Sequence, residues 1–342
     1  MHRALRLTLD RNALQSNWRW LGEHAGVEAG AAVKADGYGL GAHEVVAELA
    51  EAGCRTFFVS TWAEADALGV LPKDCELVVL HGVGPGDIEA AKASTARPVL
   101  NTPEQVARWL EIAPGRPCDV MVDTGMNRLG LAIADIGMLD GLAIGTLHSH
   151  LACADEDSAM NARQLATFRE VVGMTHAKRY SLANSAGICL GRDYAFDLVR
   201  PGLALYGGVP RSEAAGHIRQ VARVEAQIVQ RRTIRAGESC GYGGTFVAER
   251  DTEAAILNLG YADGYLRGFS ARGAAFAGEF ALPVIGRVSM DLIAVDCDAA
   301  RALREGDWVE VDYDLPTAAE QSGLSQYELL TTLGSRFERR WV

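Results

Sequence analysis

A lone lysine, Lys34, ends the apolar run Gly30-Ala31-Ala32-Val33, and Ala35-Asp36-Gly37-Tyr38-Gly39-Leu40-Gly41 follows at once. This order reads as a short buried strand that delivers an amine to its C-terminal mouth. The glycine-rich loop after it lets a ligand come close. A poorly solvated amine loses its proton readily, so Lys34 becomes a nucleophile able to form a Schiff base with an aldehyde cofactor. The segment fits a surface lysine just past a strand end about as well.

Similar groups follow other apolar runs. The run 118–123 leads into Thr124-Gly125-Met126-Asn127-Arg128, and 144–148 into Ser149 and His150. The run 180–182 leads into Asn184 and Ser185, and 198–201 carries Arg200 ahead of Gly202 and Tyr206. Each has a plain structural explanation: Arg128 a helix-surface cation, His150 a hydrogen-bonded core histidine, Ser185 an N-cap, Gly202 a turn beside Pro201. Their joint placement just past strand ends is what points to a site. A helix opening at Ser185 also offers a phosphate its hydroxyl and unpaired N–H groups. Gly82-x-Gly84-x-Gly86 lacks the spacing of a dinucleotide loop, and Pro85 removes a donor there. His148, His150 and Asp155 lack the further paired ligands of a metal site.

The elements that must hold these groups follow a regular order. Residues 4–9 alternate as a strand, and Asp10 caps a helix running to Trp20. Eight short apolar runs then occur at 30–33, 56–60, 76–81, 98–100, 118–123, 144–148, 180–182 and 198–201. Helical stretches at 41–52, 63–68, 85–93, 102–112, 157–175 and 185–190 separate most of them. Eight buried strands alternating with helices suit a (β/α)8 barrel, whose strand ends share one face; a doubly wound sheet uses the same alphabet. After about Gly208 the period shortens to two, at 218–232, 253–259 and 308–311, with one late helix at 325–333 opened by a Ser325–Glu328 capping box. The expected division is 1–214 as barrel and 215–342 as a mainly β domain, with the first strand packing on the second domain. A formal charge of −11 over 342 residues argues against nucleic acid or an anionic membrane as partner. Seven scattered cysteines without a CxxC pair suggest neither disulfides nor zinc. There is no signal-like apolar core, so a cytoplasmic location is expected.

Together the motifs resemble the bacterial alanine racemases. They are Lys34 in VKADGYGLG, Arg128 in DTGMNRLG, His150 in SHLACADE, Ser185 in LANSAG and Arg200 in VRPGLALYG. They continue with Tyr242 in GYGGTF, Tyr261 in GYADGYLR and Met290-Asp291 in GRVSMD, in the family's order. The resemblance implies a pyridoxal 5′-phosphate barrel with a β domain, working as a head-to-tail homodimer. Lys34 would hold the cofactor covalently. Tyr38, Ser185 and the backbone of Gly202 and Leu203 would hold its phosphate, with Tyr261 nearby, and Arg200 would face the pyridine nitrogen. Arg128 would bind the cofactor's phenolic oxygen and orient the substrate carboxylate. Tyr242, Met290 and Asp291 would come from the second subunit. Lys34 and Tyr242 would be the two bases that exchange the Cα proton of alanine, with Arg200 and His150 as cations favouring the ionised phenol. An arginine at the pyridine nitrogen favours a racemase over the related barrel decarboxylases, which place an acid there.

Two positions depart from the family pattern. Many members carry a carbamylated lysine seven residues before the arginine of DTGMxRLG; here that position is Met121, so Arg128 needs a bound anion or a neutral polar partner instead. Ser335, before Arg336, stands where some members have a phosphate-binding tyrosine. Alternative implied activities are a serine or broad-specificity racemase, or a pyridoxal-phosphate-binding protein that racemises nothing.

Overall fold

The structure, a computed structural model, describes residues 3–342. The chain divides into two compact units, one of residues Leu14–Arg219 and one of Gln220–Val342 together with the N-terminal segment through Ala13.

In the first unit, seven strands form a parallel sheet in strict chain order: Ala31–Ala32, Thr56–Val59, Glu76–Val79, Arg97–Leu100, Cys118–Met121, Ile144–His148 and Arg179–Ser181. The eighth, Leu198–Val199, pairs with Glu28–Ala29, one residue before the first of the seven. Gly30 and Ala32 continue that seam by donating to the carbonyls of Val199 and Pro201. Sequential neighbours closing on the first strand make a (β/α)8 barrel, and the unreversed order rules out the doubly wound sheet. Burial on both faces explains the largely apolar runs: every residue of Thr56–Val59, Cys118–Met121 and Ile144–His148 is buried.

The outer helices start where their caps dictate. Thr61 and Glu64 form a capping box on Trp62–Leu68. Thr102 caps Pro103–Ile112, and Ser158 caps Ala159–Met174. Ser185–Cys189 is capped by Asn184, whose side chain accepts from the Gly187 N–H. Ser185, read from sequence as that cap, is therefore free for other contacts. The segment after Lys34 is not an open glycine loop. Ala35, Asp36, Gly37 and Tyr38 are consecutive left-handed residues, φ 52, 52, 62 and 56°. Three of them carry side chains, and each costs of order 1–2 kcal/mol in that conformation. The Glu64 carboxylate accepting from the Ala35 N–H (2.9 Å) and Asp36 Oδ1 accepting from the Ala42 N–H (2.9 Å) hold the turn.

The second unit is built on the 13-residue strand Ala222–Ile234. It pairs with Leu5–Leu9, with Trp308–Val311 and, after a register shift between Ile228 and Gln230, with Thr252–Leu257. The bulge lets one strand serve two neighbours, and the ring closes through Ala274–Ala277, Phe280–Ile285 and Ile293–Asp296. Leu5–Leu9 also pairs in parallel with Glu338–Trp341. No described helix is long and apolar enough to cross a membrane.

Candidate active site

Lys34 leaves the end of its strand half-buried. Its amine is held below the usual lysine range by desolvation first, then by the positive charge of Arg128, against an opposing effect of Glu64. The left-handed turn brings Tyr38 back to a buried position, stacked on Tyr206 with ring centroids 4.7 Å apart. The Tyr206 hydroxyl is anchored on the Ala32 carbonyl at 2.8 Å.

Tyr38 meets Ser185 and Gly202 at one point. Ser185 Oγ accepts from the N–H groups of Gly202 (2.9 Å) and Ala204 (3.2 Å). A Cβ on Gly202 would stand 2.2 Å from Tyr38 Oη, so only glycine fits there. Leu203 opens the next turn, buried. Two hydroxyls, a glycine closely approached and the start of a short helix form a donor-rich cradle suited to a phosphate.

Beside it lies a positively charged group. His150 is pushed down to about 3 by burial first, then by Arg200, Arg128 and Lys34. Those four residues share one electrostatic neighbourhood. Burial and these cations thus disfavour the charged imidazole, which weighs against the reading of His150 as a cation. Gln164 holds its loop, donating to the His150 carbonyl (2.9 Å) and to Thr124 Oγ1 (3.2 Å). Arg128 follows a turn in which Asp123 Oδ1 accepts from Gly125 and Met126 N–H, and its guanidinium is exposed. Among the described residues Arg128 forms no hydrogen bond or ion pair, so no neutral side chain takes the role expected at Met121, which is buried.

Arg200 is 7 % exposed. Its Nη2 donates to the Ser149 carbonyl at 2.6 Å and its Nη1 to Ser181 Oγ, with His148 Nδ1 3.3 Å away. His148 Nε2 in turn lies 3.2 Å from Asp119 Oδ2. Neither Asp119 nor Ser181 stands out in the sequence. The one available signal is a carboxylate inside an otherwise apolar strand.

The remaining expected residues lie in the second unit. Tyr242 starts a turn between Ser239–Cys240 and Phe246–Val247 and is 67 % exposed; Met290 is 53 % exposed. Gly286 and Arg287 run past that turn, and a Cβ on Gly286 would lie 2.7 Å from the Cys240 carbonyl. Tyr261 donates its N–H to the Ser289 carbonyl and Ala262 to that of Met290. Arg336 binds the fully buried Asp263 through Nε (2.6 Å) and Nη2 (2.8 Å), and reaches Asp291 through Nη1 (2.7 Å). Tyr261, Met290 and Asp291 therefore stand on one platform pinned by Arg336.

Residues 9–210 match the alanine racemase N-terminal domain and residues 221–341 the alanine racemase C-terminal domain. An alanine racemase of Methylobacterium nodulans is 42 % identical over 98 % of this chain and 96 % of its own length. A catabolic alanine racemase of Agrobacterium fabrum is 41 % identical over 98 % and 92 %. The crystal structure of the Bartonella henselae alanine racemase with covalently bound pyridoxal phosphate superposes with a TM-score of 0.93 at 36 % identity, covering all of both chains. The chain with Lys34 at its first barrel strand end belongs to the alanine racemase family.

Proposed function

We propose that the protein is a pyridoxal-phosphate-dependent alanine racemase acting as a homodimer whose two sites are each built from both subunits. The observation that carries this reading is the convergence of a nucleophilic lysine, a phosphate cradle and a buried arginine on one barrel mouth. The residues fit the cofactor: Gly202, lacking a Cβ, lets the Tyr38 hydroxyl come close, and the Ser185 and Tyr38 hydroxyls with the Leu203 backbone would hold the phosphate, beside a Gly202 N–H that steadies Ser185 Oγ. When bound, the cofactor supplies an electron sink that makes the Cα–H of an attached amino acid acidic.

The protein's own part is to bind, orient and move the proton. Lys34, with its amine proton weakened by burial, holds the cofactor and then acts as base on one face of Cα. Tyr242 of the partner subunit acts on the other, its exposure within this chain suiting delivery across an interface. Arg200 is a hydrogen-bond donor only, so it would hold a ring nitrogen of the cofactor unprotonated and keep the electron sink shallow, which would favour returning the proton over other outcomes. His150, its charged form disfavoured, offers a hydrogen bond rather than a charge, and Arg200 supplies the positive field for the ionised phenol. Arg128 orients the substrate carboxylate, with a bound anion taking the place of the missing carbamate. Tyr261 adds to the phosphate contacts; Met290 and Asp291 shape the substrate side.

Racemisation of L-alanine, L-serine and L-lysine by the purified holoenzyme, followed by chiral chromatography, tests this. Turnover of alanine well above the others is expected. No turnover on any substrate with the cofactor bound overturns the enzyme assignment.

A further inference from the structure

Behind Arg200, a line of polar groups runs inward from the exposed Glu76 on the third barrel strand, through Arg97, Asp119 and His148 on the next three, to Arg200 at the end of the eighth. Arg97 Nη1 pairs with Glu76 Oε1 at 2.9 Å, and Arg97 Nε faces Asp119 Oδ1 at 3.1 Å. Asp119, with no exposed side-chain surface, also accepts from the Thr146 N–H at 2.8 Å. His148 bridges Asp119 and Arg200 through its two ring nitrogens. The charged groups that act on it most are Asp119, Arg200 and Arg97. The edge of Phe58 closes its remaining flank, 5.9 Å between centroids.

Donor and acceptor logic fixes the proton. A guanidinium has donors only, so His148 Nδ1 must be unprotonated to face Arg200 at 3.3 Å without repulsion. An ionised carboxylate only accepts, so Nε2 must carry the hydrogen toward Asp119. Burial holds the imidazole neutral, down to about 4, and the Asp119 carboxyl is kept below its ordinary range by His148, Arg97 and the Thr146 N–H against desolvation. One tautomer satisfies every partner.

We propose that Asp119 and His148 are positioning residues for Arg200: the carboxylate fixes the His148 tautomer, and the imidazole lone pair pins the guanidinium that faces the reacting ring. Ser149, next to His148 at the same strand end, and Ser181 on the following strand hold the same guanidinium, so His148 sets the third point and its rotation. Nη1 is thus engaged twice and Nη2 once, which leaves the Nε–H and the second Nη2 hydrogen to face a ligand. Without His148 the buried cation keeps its two serine contacts but loses its link to the nearest carboxylate. The inference rests on the racemase reading for what Arg200 does; the tautomer itself does not.

Two measurements test it. Side-chain 15N spectra of histidine-labelled protein, with His148 assigned by its loss in His148→Leu, should show a neutral Nε2–H ring that does not titrate between about pH 5.5 and 8.5. An Nδ1–H ring or an imidazolium overturns the proposal, whether or not the protein racemises anything. In the holoenzyme, His148→Leu and Asp119→Asn should lower kcat about tenfold or more with KM changed much less, and should shift the near-visible absorbance of the bound cofactor. His148→Asn, whose Oδ1 can replace the Nδ1 lone pair toward Arg200, should recover most of the rate and spectrum. Variants that merely melt earlier, with wild-type spectrum and kcat per folded site, overturn it. Loss of racemisation in the wild type with the expected 15N signature would instead defeat the functional reading alone.

Discussion

Adding one methyl group at Gly202 should cost the protein its cofactor. Gly202 has φ −132° and ψ −84°, and the effect of Gly202→Ala is worked from the clash that its Cβ makes. The added Cβ meets Tyr38 Oη at 2.2 Å and Cζ at 2.8 Å. Relief requires the hydroxyl to move by roughly 1 Å, since contacts below about 3.4 Å are repulsive. Tyr38 has little freedom to do so: it is buried, left-handed at φ 56°, and stacked on Tyr206, whose own hydroxyl is tied to Ala32. Overpacking of this kind costs about 1–3 kcal/mol in the folded protein. Moving the Tyr38 hydroxyl away from a phosphate loses one hydrogen bond to a charged group, about 1.5–3 kcal/mol. At about 1.4 kcal/mol per factor of ten, pyridoxal phosphate should bind about 10- to 100-fold more weakly. Titration of the apoenzyme with the cofactor, read by near-visible absorbance, measures it. Gly137→Ala, where an added Cβ meets nothing within 4 Å, is the control. Wild-type cofactor affinity in Gly202→Ala would refute the cradle at Tyr38, Ser185 and Gly202.

Further outcomes follow from the same geometry. Arg336→Met leaves Asp263, whose side chain is fully buried, without its partner. Because Arg336 is itself 45 % exposed, about 2–3 kcal/mol of stability should go rather than the full cost of a buried pair, with partial recovery in the Asp263→Asn double variant by thermal melting. His148, held at about 4 when folded and near 6.5 when unfolded, binds its proton earlier in the unfolded chain. Stability should therefore fall as pH drops from 6.5 to 4, by up to about 1.4 kcal/mol per pH unit from this group and about 3 kcal/mol in total, and His148→Leu should flatten that part of the curve in chemical denaturation. Lys34→Ala should abolish the near-visible absorbance of the lysine-linked cofactor. Mixing it with Tyr242→Phe under conditions of subunit exchange should restore racemisation, because one site of each mixed dimer is then intact; no restoration would mean both groups come from one chain.

The barrel is legible in the sequence because its strands are buried on both faces, so runs such as 56–60 and 144–148 carry few polar residues and the groups past their ends stand out. The closing order of the sheet is not, since periodicity says nothing about which strand neighbours which. The left-handed turn at 35–38 leaves no mark either: Gly37 alone advertises it, while Ala35 and Asp36 are held there by Glu64 and Ala42, distant partners that no local pattern encodes. Ser185 reads as a cap because serine usually is one, yet Asn184 outcompetes it and leaves Ser185 to the Gly202 turn. The lowered pKa of His150 comes first from burial and then from three cations converging from different strands, and the tautomer of His148 depends on a carboxylate hidden in a neighbouring one. In the second unit the strands Ala274–Ala277, Phe280–Ile285 and Ile293–Asp296 and the helix Leu315–Ser322 are short and weakly patterned, and pairing rather than propensity defines them.

The central claim is that two bases, Lys34 and Tyr242, work on opposite faces of the same carbon. The most direct measurement is the rate of racemisation from L-alanine and from D-alanine by the Tyr242→Phe holoenzyme, each with hydrogen and with deuterium at Cα. A large loss of rate is expected, with isotope effects that differ between the two directions, because only one face has lost its proton carrier. Equal, near-wild-type rates in both directions would contradict it.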